Sequence, residues 1–116
     1  MATIYTPDNL VIEVENTDSV TIASGQNIVK GEVLGKVTLS GEYVSSLSSS
    51  TDGSEVPYAI AVEDVDATSG AKTNVGVYIG GEFQIDGLTI GTGHTVDSVK
   101  EAFRQVGIYV KQSVKG

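Results

Sequence analysis

Gly25-Gln26-Asn27-Ile28-Val29-Lys30-Gly31-Glu32-Val33-Leu34-Gly35 is the stretch on which the fold reading turns. Three glycines punctuate it at positions 25, 31 and 35, where tight turns need dihedrals that side chains resist. Between them lie two short β-branched or apolar pairs, Ile28-Val29 and Val33-Leu34. The pattern predicts a punctuated hairpin rather than a helix, because apolar pairs this close to glycine cannot sustain a 3.6-residue period.

The same grammar runs outward in both directions. Leu10, Ile12 and Val14 alternate with Val11, Glu13 and Glu15, which predicts either a half-buried strand or one awaiting a partner. Asn16 to Ser19 reads as a turn, with a short strand at Val20 and Ile22. Downstream, Lys36 to Tyr43 reads as strand broken at Gly41, and Ser45 to Ser54, with six serines and an Asp52-Gly53 turn, as a polar loop, either a surface excursion or a local mobile tip. Val56 to Val62 is the expected core strand, with Tyr58, Ile60 and Val62 alternating against Ala59 and Ala61. After a turn-rich acidic stretch, Val75 to Ile79 and Glu82 to Ile85 predict two more strands around Gly80-Gly81.

One convincing helix follows, over Thr95 to Val106. Thr95 is placed as N-cap, Asp97 sits in the first turn where the helix dipole favours an anion, and Gly107 is placed for a left-handed cap. Val96, Val99, Ala102, Phe103 and Val106 share one face. Ile108 to Val110 then reads as a last strand. Eight or so short strands with turn signals every 8–12 residues predict a mainly β single domain, a small barrel or sandwich with one short C-terminal helix.

Composition narrows function by exclusion. The 116 residues include no Cys and one His, with 15 acidic side chains against 7 basic ones and a net charge of −8. A phosphate backbone would be repelled, so no nucleic-acid partner is expected. Without Cys there is no disulfide or thiol chemistry. No basic start and apolar core mark a signal peptide, and no apolar run approaches a membrane span. Neither export nor a membrane partner is expected.

Candidate chemistry fails residue by residue. His94, just ahead of the helix, reads as a locally hydrogen-bonded loop residue. Asp64, Asp66 and Thr68 have the alternate spacing of a calcium loop, but Ser69 and Val75 stand where its Gly and Glu belong. Gly91-x-Gly93 lacks the third glycine of a dinucleotide fingerprint and reads as a flexible lead into the helix. Glu13 with Glu15 and Glu63 with Asp64 lack the aromatic sugar contacts of a glycosidase. Lys30-Gly31-Glu32-Val33-Leu34 looks like the turn of a biotinyl or lipoyl carrier, but no Asp-Lys-Ala or Met-Lys-Met accompanies it. No catalytic residue, cofactor or metal site is expected.

Three blocks in succession carry a resemblance. They are Gly25-Gln26-Asn27 through Lys36, then Asp52-Gly53-Ser54 leading into Tyr58-Ala59-Ile60-Ala61-Val62-Glu63-Asp64-Val65-Asp66-Ala67, then Val77-Tyr78-Ile79-Gly80-Gly81-Glu82-Phe83 followed by the helix and Ile108-Tyr109. From about Tyr5 to Val110 the chain resembles the lambdoid bacteriophage head decoration proteins. The resemblance implies a small barrel or β-tulip domain that forms homotrimers. Such trimers sit at three-fold sites on the outside of the expanded head, bind the major capsid protein, and brace the shell against packaged DNA. Synthesis in the host cytoplasm would precede docking on the virion.

The resemblance also implies an N-terminal arm that adds a strand to capsid protein. Ile4, Tyr5, Pro7, Leu10, Ile12 and Val14 are then the capsid-binding candidates, residues 1–22 the arm and lead strands, and 23–116 the decoration domain. The family offers no motif that assigns trimer contacts here. The chain departs from the pattern in having no Trp, only two Pro and strong acidity, so its capsid partner would carry a basic rim. The competing reading is a β-barrel module that binds a ligand or carbohydrate.

Overall fold

The structure is a computed structural model that describes the backbone of residues 11–14 and all of residues 16–111. Ten strands are described: β1 (Val11–Val14), β2 (Thr17–Ile22), β3 (Gln26–Ile28), β4 (Val33–Lys36), β5 (Tyr43–Ser45), β6 (Pro57–Ala61), β7 (Val65–Ala67), β8 (Lys72–Tyr78), β9 (Gly81–Gln84) and β10 (Ile108–Lys111). One helix, α1 (Val96–Val106), lies between β9 and β10.

Five strands close a barrel in the order β2-β5-β4-β6-β8. Closure removes the sheet edges that would otherwise pair with other chains. Ile22, Leu34, Tyr43, Ala59, Ala61, Val75 and Val77 fill its interior, joined by Ile28, Val65 and Ala67 from the two-stranded ribbon β3-β7. A second core lies between the barrel wall and α1, where Val33 and Ile60 meet Phe83, Val99, Phe103, Ile108 and Val110. The wall strand β6 is therefore buried on both faces. Its small Ala59 and Ala61 suit the narrow lumen, while Ile60 points to the helix side.

The helix ends as the sequence predicts. Thr95 Oγ1 accepts from Ser98 N (3.1 Å), and Ser98 Oγ accepts from Thr95 N (3.0 Å), a reciprocal capping box. Gly107 closes the other end at φ 87°, donating its N–H to the Phe103 carbonyl.

Several sequence readings need correction. Gly25–Gly35 is not a hairpin: β3 pairs with β7, and β4 with β5 and β6. The two halves turn at Gly31 and part into different sheets, because each finds its partner far along the chain. Lys36 to Tyr43 is not one strand. Val37 N donates to Glu42 O and Gly41 N to Val37 O, which folds residues 37–42 into a turn between β4 and β5. Residues 17–19 belong to β2, in register with Gly76 to Tyr78 of β8, rather than to a turn. Tyr58 is not core but 38% exposed.

The serine-rich loop is exposed over residues 47–49 and 51–52, as its composition suggests, but it is anchored near both ends. Ser46 and Ser54 are fully buried, and Ser46 Oγ donates to the Ser54 carbonyl at 2.8 Å. Glycines make the seating possible. A Cβ on Gly35 would stand 2.0 Å from Ser54 O, and one on Gly91 2.0 Å from Ser46 O. Gly91 is thus a packing position and not merely a flexible lead.

Candidate functional site

The N-terminal candidates divide between two situations. Ile4, Tyr5, Pro7 and Leu10 lie outside the described residues. Ile12 and Val14 belong to β1, whose backbone pairs antiparallel with β9: Val11 opposite Phe83, Glu13 opposite Glu82, Val14 opposite Gly81. On the other side of β9 lies β10, parallel, with Val110 opposite Phe83 and Lys111 opposite Gln84. Among the described residues, β1 and β10 are the outer strands of this three-stranded sheet, each with one paired edge. An edge strand presents a row of backbone donors and acceptors to any chain that can lie beside it.

The register has a second consequence. β1 begins at Val11 and β10 ends at Lys111, both at the Gln84 end of β9. The described chain therefore begins and finishes on one side of the domain, about 10 Å apart across two strand spacings. A salt bridge between Lys111 and Glu82 (3.3 Å) spans β10 and β9 there. Both partners are accessible to water, so it adds little stability.

His94 sits between two serines. Its Nε2 is 3.2 Å from Ser46 Oγ and its Nδ1 is 3.2 Å from Ser98 Oγ. The arrangement superficially looks like a nucleophile with its base, but the hydrogen bonds assign other roles. The single Ser46 proton goes to Ser54 O, so Ser46 Oγ accepts from His94 Nε2–H. Ser98 Oγ donates its proton to the Thr95 carbonyl (3.0 Å) and accepts from Thr95 N in the helix cap. His94 therefore ties the helix start to the buried serine loop, a longer-range contact than the sequence reading foresaw.

The acidic turn also has local employment. Asp64 Oδ1 accepts from Lys30 N (2.7 Å). Asp66 Oδ1 accepts from both the hydroxyl (2.6 Å) and the amide (3.1 Å) of Thr68, which hold its carboxyl below the ordinary carboxylate value. Among the described residues no group of three or more His, Asp or Glu side chains is arranged to hold a metal ion.

An apolar face at one end of the barrel went unseen in the sequence. Leu39, on the 37–42 turn, is 99% exposed, and Val56 and Tyr58 are 49% and 38% exposed. Thr38 N donates to Asp52 O (2.9 Å), holding this turn against the bend at Gly53. Together Lys36, Thr38, Gly53, Val56 and Tyr58 line a groove of about 350 Å³. The Lys36 ammonium lies 5.9 Å from the centre of the Tyr58 ring, within cation–π range. Tyr43 lies beneath with its ring 6.1 Å from that of Tyr58, and burial pushes its phenol above the ordinary value. The sequence signal was a leucine inside a Thr-Leu-Ser-Gly turn, hidden by reading residues 36–43 as strand.

Comparison with known families matches residues 2–109 to the model described as bacteriophage lambda head decoration protein D. The chain belongs to the phage head decoration protein family. It is a decoration protein of a phage capsid, structural rather than catalytic, as the three sequence blocks implied. Direct comparison with curated proteins returns no match. The family assignment associates this decoration protein with the phage head and so with the virion. It also sets aside the carbohydrate- or ligand-binding module.

Proposed function

We propose that this decoration protein binds as homotrimers at three-fold sites on the outer surface of the expanded head, after synthesis in the host cytoplasm. There it clamps neighbouring major capsid subunits and braces the shell against packaged DNA. The docking element lies within residues 1–22, in the part ahead of β2, with Ile4, Tyr5, Pro7, Leu10, Ile12 and Val14 as its contacts. Residues 23–116 form the body that the trimer presents.

The observation that carries this reading is the outer edge of β1. A capsid strand laid along it would gain main-chain hydrogen bonds, with alternate side chains supplying selectivity. The ten residues ahead of Val11 span at most about 35 Å when fully extended. Three linked copies would strengthen docking through avidity.

The test is co-sedimentation with undecorated, expanded heads of the source phage, comparing the full chain with a variant lacking residues 1–14. The expected result is saturable binding of the full chain in multiples of three and at least tenfold weaker binding of the truncated one, which still unfolds in a cooperative thermal transition. Equal binding of the two would refute docking by the N-terminal segment.

A further inference from the structure

The Leu39 turn connects β4 and β5 of the barrel, whereas β1 belongs to the three-stranded sheet with β9 and β10. Single exposed leucines need no explanation on a protein surface. This one is accompanied. Leu39 stands almost wholly in solvent on a turn tied to residues 52 and 53, beside a groove walled by Val56, Tyr58 and the Lys36 stem.

We infer that the trimer closes through this face, the Leu39 turn of each copy seating in the Val56–Tyr58–Lys36 groove of its neighbour. The inference rests on the homotrimer reading and supplies the contact that reading lacks.

Symmetry argues for a second copy as the occupant. A three-fold assembly is heterologous: each subunit must offer two different, complementary surfaces, and the ring must close. A knob and a groove are two such surfaces. In a three-fold contact close to the axis, they must also be neighbours on one subunit, as the Leu39 turn and the groove are through Thr38.

Charge argues the same way. Each chain carries −8, so copies repel one another over most of their surface. The groove lining contributes one cation, Lys36, and the nearby Glu55 carboxylate is held by the Gly53 amide (2.9 Å). The incoming turn carries Glu42 three residues after Leu39. Seating Leu39 therefore brings the Glu42 carboxylate toward the neighbour's Lys36, and the contact is complementary in charge as well as shape.

Because the chain has no cysteine, engineered thiols report on the contact without background. Two single variants, Leu39→Cys and Val56→Cys, are mixed in equal amounts, bound to expanded undecorated heads, and mildly oxidised. The bound mass per three-fold site is measured on the same samples. The expected result is disulfide-linked dimers in the mixture and none with either variant alone, since only a 39-to-56 contact between different chains can form them. A Leu39→Cys, Val56→Cys double variant should give covalent closed trimers. Binding in threes with no such cross-link would overturn this interface and leave the capsid role standing. Binding as single chains, or no binding, would overturn the trimer reading and this inference with it.

Discussion

Replacing Gly35 by alanine tests how tightly the serine-rich loop is built into the barrel. An added Cβ would lie 2.0 Å from the Ser54 carbonyl oxygen, 2.6 Å from its carbon and 2.7 Å from its Cα. All three are backbone atoms, so no side-chain rotation relieves the clash. The loop would have to retreat by about 1 Å or more to reach ordinary van der Waals separation. That movement carries the Ser54 carbonyl away from the buried Ser46 hydroxyl that donates to it. Overpacking typically costs about 1–3 kcal/mol, and stranding a buried polar group about the same again.

We therefore expect a loss of about 2–6 kcal/mol, a large part of the roughly 5–15 kcal/mol a domain possesses. For a chain of this size that lowers the melting temperature by about 8–24 °C, at roughly 4 °C per kcal/mol. Thermal unfolding followed by circular dichroism is the assay. Gly76→Ala in β8 is the control, because its Cβ would meet only the Val62 side chain at 3.8 Å. A Gly35→Ala protein that melts within about 3 °C of wild type, a change of under about 1 kcal/mol, would refute the seating of the loop on β4.

Other substitutions probe separate parts of the account. Ser46→Ala should cost about 1–3 kcal/mol in chemical denaturation, because it leaves the buried Ser54 carbonyl without its donor. His94→Ala should leave head binding within about twofold of wild type while lowering stability by about 1 kcal/mol, read from the same titrations. Thr95→Ala removes the N-cap and should cost about 1 kcal/mol, seen as lost helical ellipticity and a lower denaturation midpoint. In acid, Asp52 and Asp66 bear the load. Each accepts from the hydroxyl and amide two residues on, which holds its carboxyl below the ordinary value. The unfolded chain then binds more protons than the folded one, so this stability is present above about pH 4 and fades as pH falls through the depressed folded values. A melting-temperature series from pH 6 to pH 2 should decline less steeply in an Asp52→Asn, Asp66→Asn double variant than in wild type.

How much the sequence disclosed followed the range of the interactions. Both ends of α1 were legible because Thr95, Asp97 and Gly107 act on backbone within a turn of themselves. Only Ser98 as the return partner of Thr95 was missed, since Glu or Gln usually fills that position. The barrel class followed from short β-branched runs and regular turn signals. Its pairing did not: Val33 and Ile60 meet across β4 and β6, and nothing local to either says so. The two anchors of the serine loop were illegible for the same reason, although its exposed middle was not. Ser46 and Ser54 look like solvent residues until Gly35 and Gly91 are seen to make room for them. Of the docking candidates, Ile12 and Val14 fall on a strand that, among the described residues, pairs with β9 alone. Leu39 was invisible as a surface feature because an apolar residue between two strands reads as strand.

The central claim is tested most directly by binding the purified protein to undecorated heads of its source phage, expanded and unexpanded side by side. The account predicts saturable binding to the expanded shell alone, in multiples of three at each three-fold site, with greater resistance of the decorated heads to rupture. Binding to neither shell, or equal binding to both with no gain in resistance, would contradict it.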